Sequence, residues 1–222
     1  MKLFLTAAGI KNPTMHAALE AMLPKPIAEC RALAISAGSF GHNGGPWRAM
    51  SYYSGQGTTP MVELGWAEVG ALELSALSIL PREHWLRWIE EADVILVNGG
   101  DAVFLAHWMK ACGFDEAVRA YPDKVYVGLS AGSMVMTPQI GVDFMSWQPA
   151  SGSDETLGLV DFAIFPHLDH PQLPENTMAD AEKWFETISV PAYALDDEVG
   201  IKVLDGVVEV VGEGPWRYFV HD

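Results

Sequence analysis

A serine stands between two glycines in Gly128-Leu129-Ser130-Ala131-Gly132, directly after the apolar run at Val125–Val127. Small residues on both sides let a chain leave a strand, bend hard into a helix and hold the hydroxyl out toward solvent. The N–H of Ala131, at the start of that helix, then points toward any negative charge that develops beside the serine. Serine is a weak nucleophile and needs a base. Seven histidines are available: His16, His42, His84, His107, His167, His170 and His221. His84 and His107 fall on predicted helices, and His221 is next to the C-terminus. His167 differs, because it follows an apolar run directly at Phe165-Pro166-His167, 37 residues after Ser130; His170 is its nearby competitor. A third segment, Asn98-Gly99-Gly100-Asp101, ends another apolar run. Its glycines let backbone amides approach a ligand, and Asp101 reads as the N-cap of the following helix. In an open α/β sheet the carboxyl ends of the strands surround the ligand crevice, so the three segments can meet there. Short Gly/Ser patterns also occur at ordinary turns; the strand–turn–helix context is what favours an activated serine.

The elements that must position these residues alternate between strand-like runs and helical patterns, which predicts a mostly parallel sheet with helices on both faces. Strands are predicted at Lys2–Ala8, Ala32–Ser36, Trp66–Leu72, Asp93–Val97, Lys124–Gly128 and Leu159–Phe165. Helices are predicted at Pro13–Leu23, Arg82–Glu91, Ala102–Cys112 and Asn176–Ile188. Asn12 caps the first and Gly113 stops the third. Gly38–Thr59, rich in Gly, Ser and aromatics, reads as a long ordered loop, a feature that is often functional. The tail, Ala192–Phe219, alternates and turns at Asp205-Gly206, a hairpin signal. No repeat or linker divides the chain, so residues 1–222 read as a single α/β domain.

Composition narrows the partners. The 222 residues carry 13 Lys+Arg against 29 Asp+Glu, a formal charge of −16, which repels phosphate backbones and anionic membranes. Nucleic acid and membrane are therefore not expected, and the partners that remain are a small ligand and at most a second copy of the chain. Half the residues are apolar, enough for a sizeable core and too many for a disordered chain. Two cysteines 82 positions apart, without a Cys/His cluster, read as ordinary thiols of a reducing compartment. The N-terminus lacks the apolar length of a signal peptide, so a cytoplasmic protein is expected. No phosphate-binding loop, dinucleotide fingerprint or metal-ligand spacing occurs, and His167 and His170 form a lone pair. No cofactor or metal is expected.

The blocks Val97-Asn-Gly-Gly-Asp101, Val127-Gly-Leu-Ser-Ala-Gly-Ser133 and Phe165-Pro-His-Leu-Asp-His170, in this order and spacing, resemble peptidase family S51, the aspartyl dipeptidases (peptidase E) and their relatives. The resemblance implies a flavodoxin-like fold similar to class I glutamine amidotransferases, with a C-terminal β-hairpin, and a serine-type peptidase acting on a small peptide substrate. Carried over position by position, Ser130 matches the nucleophile, His167 the base, and Gly100 and Ala131 the oxyanion-hole amides. The acid implied is Asp143, in Gly141-Val-Asp-Phe144, with Asp169 and Asp196-Asp197 as substitutes. Asp101 and His170 are the candidate substrate-binding side chains. Asp101 stands where relatives commonly carry Asn.

Two other readings compete. An α/β-hydrolase esterase also uses the Gly-x-Ser-x-Gly turn and could take His221 as base, but leaves the Gly99-Gly100 block unexplained. A non-catalytic binding module would keep the fold without an activated serine. Specificity is predicted to depart from the family name. Selecting an acidic side chain requires a fixed cation, and the helix that carries an arginine in Asp-specific members reads Asn176–Lys183 here. Arg48 and Lys183 are the only candidate cations, while Phe40, Trp47, Tyr52 and Tyr53 could line an apolar pocket. Acidic N-terminal residues are thus predicted not to be strongly favoured over neutral ones.

Overall fold

The computed structural model describes residues 1–221. In chain order the elements are β1 (Lys2–Thr6), α1 (Pro13–Met22), β2 (Arg31–Ile35), α2 (Gly45–Tyr53), β3 (Glu68–Ala71), α3 (Leu74–Leu77), α4 (Arg82–Glu91), β4 (Val94–Val97), α5 (Ala102–Cys112), α6 (Phe114–Ala120), β5 (Val125–Leu129), α7 (Ala131–Met134), β6 (Ala163–Phe165), α8 (Met178–Phe185), β7 (Ala192–Leu195), β8 (Val199–Leu204), β9 (Val207–Gly212) and β10 (Trp216–Phe219). The main sheet runs β3-β2-β4-β5-β1-β8-β9. Its first five strands are mutually parallel, and β8 and β9 continue it antiparallel. The expected mostly parallel sheet with a C-terminal hairpin is thus present. Asp205 and Gly206 both have positive φ, 49° and 80°, as the tight turn of a two-residue hairpin requires.

Every residue of β4 and β5 is buried, because central parallel strands are covered on both faces. Alternate residues feed different cores. Ile95 and Val97 join Trp85, Ile89, Leu105, Met109 and Phe114 on the side of α4, α5 and α6. Val94 and Leu96 join Met15, Leu19 and Met22 of α1 on the other. A third cluster, Phe165, Leu168, Ala181, Trp184 and Phe219, lies under a second sheet of order β10-β7-β6. Local chemistry fixes the helix ends. The Asn12 side chain accepts from Met15 N at 2.9 Å, and Gly113 ends α5 in the left-handed region at φ 74°.

Three segments differ from expectation. Gly38–Thr59 opens within a 3₁₀ turn, Ala37–Gly41, and contains the helix α2. Pro46 at its first turn and buried Ala49 and Tyr52 three apart give α2 one inward face, a signal that the surrounding Gly and Ser masked. Leu159–Phe165 is a strand only over Ala163–Phe165, because the Leu159 and Val160 N–H groups donate to Met136 O rather than to a neighbouring strand. The tail also contributes β7 and β10 to the second sheet, which the hairpin pattern did not separate. No described helix is long and apolar enough to cross a membrane.

Candidate functional site

Ser130 sits between β5 and α7 with φ 50° and ψ −115°, an unusual conformation for a residue with a side chain. The flanking glycines make it accessible. A Cβ on Gly128 would lie 2.5 Å from Gly132 O, and one on Gly132 would lie 2.2 Å from Val97 O, so only glycine lets the turn nest against β4. Thr6, at the end of β1, anchors the same turn. Its carbonyl accepts from Ser130 N (2.9 Å) and from Ser133 Oγ (2.7 Å), and its hydroxyl donates to Gly128 O (2.7 Å). Sequence reasoning did not single out Thr6; its one signal is its place at the carboxyl end of a buried strand.

His167 follows β6 with φ 60°. Its Nε2 lies 3.0 Å from Ser130 Oγ and its Nδ1 lies 2.6 Å from Asp197 Oδ1. A carboxylate only accepts, so Nδ1 carries the proton and the Nε2 lone pair is free to accept the serine O–H. Asn176 braces this turn through a 3.0 Å bond from its Nδ2 to Pro166 O. Burial pushes the Asp197 carboxyl up, but the His167 hydrogen bond, with the charges of His167, His170 and Lys11, outweighs it and holds the group below its ordinary range.

The expected acid is therefore corrected: Asp197, not Asp143, is the carboxylate on His167. Asp143 is exposed on the single turn Val142–Phe144. Phe144, its neighbour, packs on Phe165 and Trp184 and turns the aspartate outward. Asp169 is exposed as well, and Asp196 uses its carboxylate to accept from Glu198 N. What brings Asp197 in is the parallel pairing of β6 with β7, in which Phe165 faces Ala194. Two residues further on, the chain reaches His167 on one strand and the Asp196–Asp197 turn on the other. Only the 30-residue separation is visible in sequence, not the pairing.

Asp101 is also corrected. It is fully buried, its Oδ1 accepts from Phe104 N (2.7 Å), and its Oδ2 accepts from Ser146 N and Trp147 N (both 2.6 Å). Three backbone donors use its acceptor capacity, so it caps α5 and ties down the 144–147 segment rather than facing a substrate. His170 likewise reaches Asp197 and not the cavity beside Ser130. His221 donates from Nε2 to Ile188 O (2.8 Å) and stacks on Phe185, so it does not serve as the base an esterase reading would need.

A cavity of about 390 Å³ opens over the serine, and its walls include Ser130, His167, Gly99, Gly100, Arg48 and Tyr52. Gly100 has φ 129°, and a Cβ there would lie 2.2 Å from Gly38 O, so the segment passes closer than any other residue allows. Of the four aromatics expected in this pocket only Tyr52 lines it. Phe40 and Trp47 are 51% and 82% exposed, and the Tyr53 hydroxyl accepts from Ser36 N. Arg48, one helical residue beyond Trp47, is the cation that sequence alone could not place beside the serine. It is exposed and makes no ion pair among the described residues, whereas Lys183, exposed on α8, does not line the cavity. Cys30 and Cys112 are buried free thiols outside this cavity. Among the described residues no cluster of His, Cys, Asp or Glu could hold a metal ion.

The doubly wound main sheet, with a serine at the strand-to-helix turn after β5 and a histidine and a carboxylate brought to it from the ends of β6 and β7 in the second sheet, marks a protein of the flavodoxin-like, class I glutamine amidotransferase-like fold. The sequence profile of peptidase family S51 matches residues 53–211, and the chain belongs to that family. It is 26% identical over 172 residues to peptidase E of a Nostoc species, covering 68% of each chain. It is also 26% identical over 137 residues to the uncharacterized peptidase Lin0382 of Listeria innocua, which is 56% of this chain and 66% of that one. The matched stretches span about half to two thirds of the curated relatives' lengths. In three dimensions the chain resembles a peptidase from an acI-B1 actinobacterium, with TM-score 0.68 and 16% identity over 97% of this chain and 88% of that one. It also resembles a provisionally named peptidase E protein from Listeria monocytogenes EGD-e, with TM-score 0.70 and 19% identity over 96% and 98%.

Proposed function

We propose that the chain is a serine peptidase that hydrolyses small peptides. The hydrogen-bonded series Ser130–His167–Asp197 carries the proposal. Ser130 Oγ attacks the scissile carbonyl carbon while its proton passes to His167 Nε2. Asp197, acceptor for Nδ1–H, holds the ring in the required tautomer and stabilises the imidazolium that forms. The N–H groups of Gly100 and Ala131 receive the oxyanion. His167 then protonates the leaving amine, the acyl group stays on Ser130, and a water deprotonated by His167 releases it. The cavity volume, near the low end for small-ligand sites, favours a peptide of a few residues.

Arg48 supplies the substrate preference. A guanidinium with no ion pair among the described residues, in a chain of charge −16, suits a substrate carboxylate close to the scissile bond, because it can form two parallel charge-assisted bonds. On this reading acidic N-terminal residues are favoured, against the expectation from sequence that they would not be strongly favoured over neutral ones. The test is hydrolysis of a dipeptide panel beginning with Asp, Leu and Ala by the wild type and by Ser130→Ala. Turnover by the wild type and none by the variant is expected; near-native hydrolysis by Ser130→Ala overturns the proposal.

A further inference from the structure

Asp197 has two histidines, and the mechanism above uses one. Its Oδ1 holds His167, while its Oδ2 lies 3.6 Å from Nε2 of His170. The tautomer of His170 follows from its other side, where the N–H of Gln172 donates to Nδ1 at 3.1 Å. Nδ1 is thus an acceptor, and in the neutral ring the proton lies on Nε2, facing the carboxylate. The backbone is shaped to put both rings there. His170 N donates to His167 O (3.2 Å), closing a turn in which Asp169, at φ 54°, occupies a position that normally favours Gly or Asn. The two rings end 6.0 Å apart at 76° to each other, one on each oxygen of the same carboxylate. Lys11 adds a further positive charge toward Asp197, and the chain neighbours of Asp197, Asp196 and Glu198, are acidic, Asp196 accepting from Glu198 N.

We infer that His170 is a positioning residue for the reaction: its Nε2–H engages Asp197 Oδ2 and fixes the rotation of the carboxylate, so that Oδ1 stays aimed at His167. At 3.6 Å the contact is longer than a hydrogen bond, and it is expected to shorten when substrate closes the site, as catalytic contacts in unliganded enzymes commonly do. A carboxylate with one donor can swing about its Cβ–Cγ bond; with a donor on each oxygen it cannot. His170 neither lines the cavity over the serine nor bonds to Ser130, so its loss should lower the rate of Ser130 attack without weakening substrate binding.

The inference rests on the serine peptidase reading, and the experiment separates the two. His170→Asn keeps an acceptor near Gln172 N–H but is too short to reach Asp197; His170→Gln restores an N–H at the distal position. With the best dipeptide of the panel, His170→Asn is expected to lower kcat about tenfold with KM unchanged within about twofold, as loss of an orienting partner typically does. Labelling of Ser130 by an alkyl fluorophosphonate should slow by the same factor, and His170→Gln should recover most of both. Equal losses in the two variants, a change in KM alone, or no loss in His170→Asn overturns the inference. Should neither variant fold, nitrogen-15 NMR of the wild type decides: a proton on His170 Nδ1 in place of Nε2 overturns it. Ser130→Ala with retained turnover defeats the peptidase reading instead.

Discussion

The two halves of the site are built in opposite ways. The Ser130 side is local: five residues, Gly128 to Gly132, contain the strand end, the bend and the glycines that let it pack on β4. The His167 side is assembled from afar, because Asp197 arrives only through the pairing of β6 with β7, and Asn176 reaches back from the start of α8 to hold Pro166. A motif can be read where sequence neighbours are spatial neighbours. Where a register between strands brings groups together, the residue types are visible but their partners are not.

The largest expected effect tests whether the halves act as one unit. Ser130→Ala and His167→Ala should each reduce kcat by about 10⁴-fold or more, and the double variant should be no slower than either alone. Multiplying losses would mean that the two side chains contribute separately, and the comparison would break.

Changes that leave the reacting groups in place separate the halves by stability. Gly132→Ala puts a Cβ 2.2 Å from Val97 O, a backbone atom in the fully buried β4. A loss of about 3 kcal/mol or more in urea unfolding is expected, because neither partner can move aside. Wild-type stability would show that the tight local packing of the serine turn has been overstated.

Arg48 lies between these extremes. Arg48→Ala should raise KM for the Asp-initiated dipeptide about ten- to a hundredfold and leave the Ala-initiated one nearly unchanged, the size expected for a charge-assisted pair. Equal effects on both would assign Arg48 to the peptide backbone or to packing of the 42–48 segment.

The smallest effect is on pH. Asp197 ionises below its ordinary 3.8 because the His167 bond and nearby positive charges outweigh burial. A group that binds its proton more weakly when folded stabilises the native state fully above its unfolded pKa, and the contribution is lost as pH falls through the folded one. The stability difference between wild type and Asp197→Asn should therefore be present at about pH 5 and shrink as pH drops below about 4. A difference that grows on acidification would mean that Asp197 is unfavourably placed.

The same contrast explains what was legible beforehand. The alternation of strand and helix runs, the Asn12 cap, the Gly113 stop and the Asp205-Gly206 turn are local patterns, and all are present. Ser130 and His167 were singled out because each directly follows an apolar run, and the structure brings them within 3.0 Å. Asp143 was the acid implied by the family resemblance, and that carry-over was blind to the pairing that brings β7 beside β6. Asp101 was read both as a helix cap and as a carboxylate facing substrate; Phe104 N makes it the cap, and the Ser146 and Trp147 amides, some 45 residues away, take its other oxygen from any substrate. Arg48 was hidden because α2 was taken for loop, so its direction could not be worked out.

The central claim is that Asp197 activates Ser130 through His167, and second-order labelling of Ser130 by an alkyl fluorophosphonate tests it without any knowledge of the substrate. Wild type, Asp143→Asn and Asp197→Asn should be compared at one pH, with the adduct located by mass spectrometry. Asp143→Asn is expected to label at the wild-type rate and Asp197→Asn about a thousandfold or more slowly, since the ring loses its orienting acceptor. Equal labelling of all three proteins, or a loss confined to Asp143→Asn, would contradict the account.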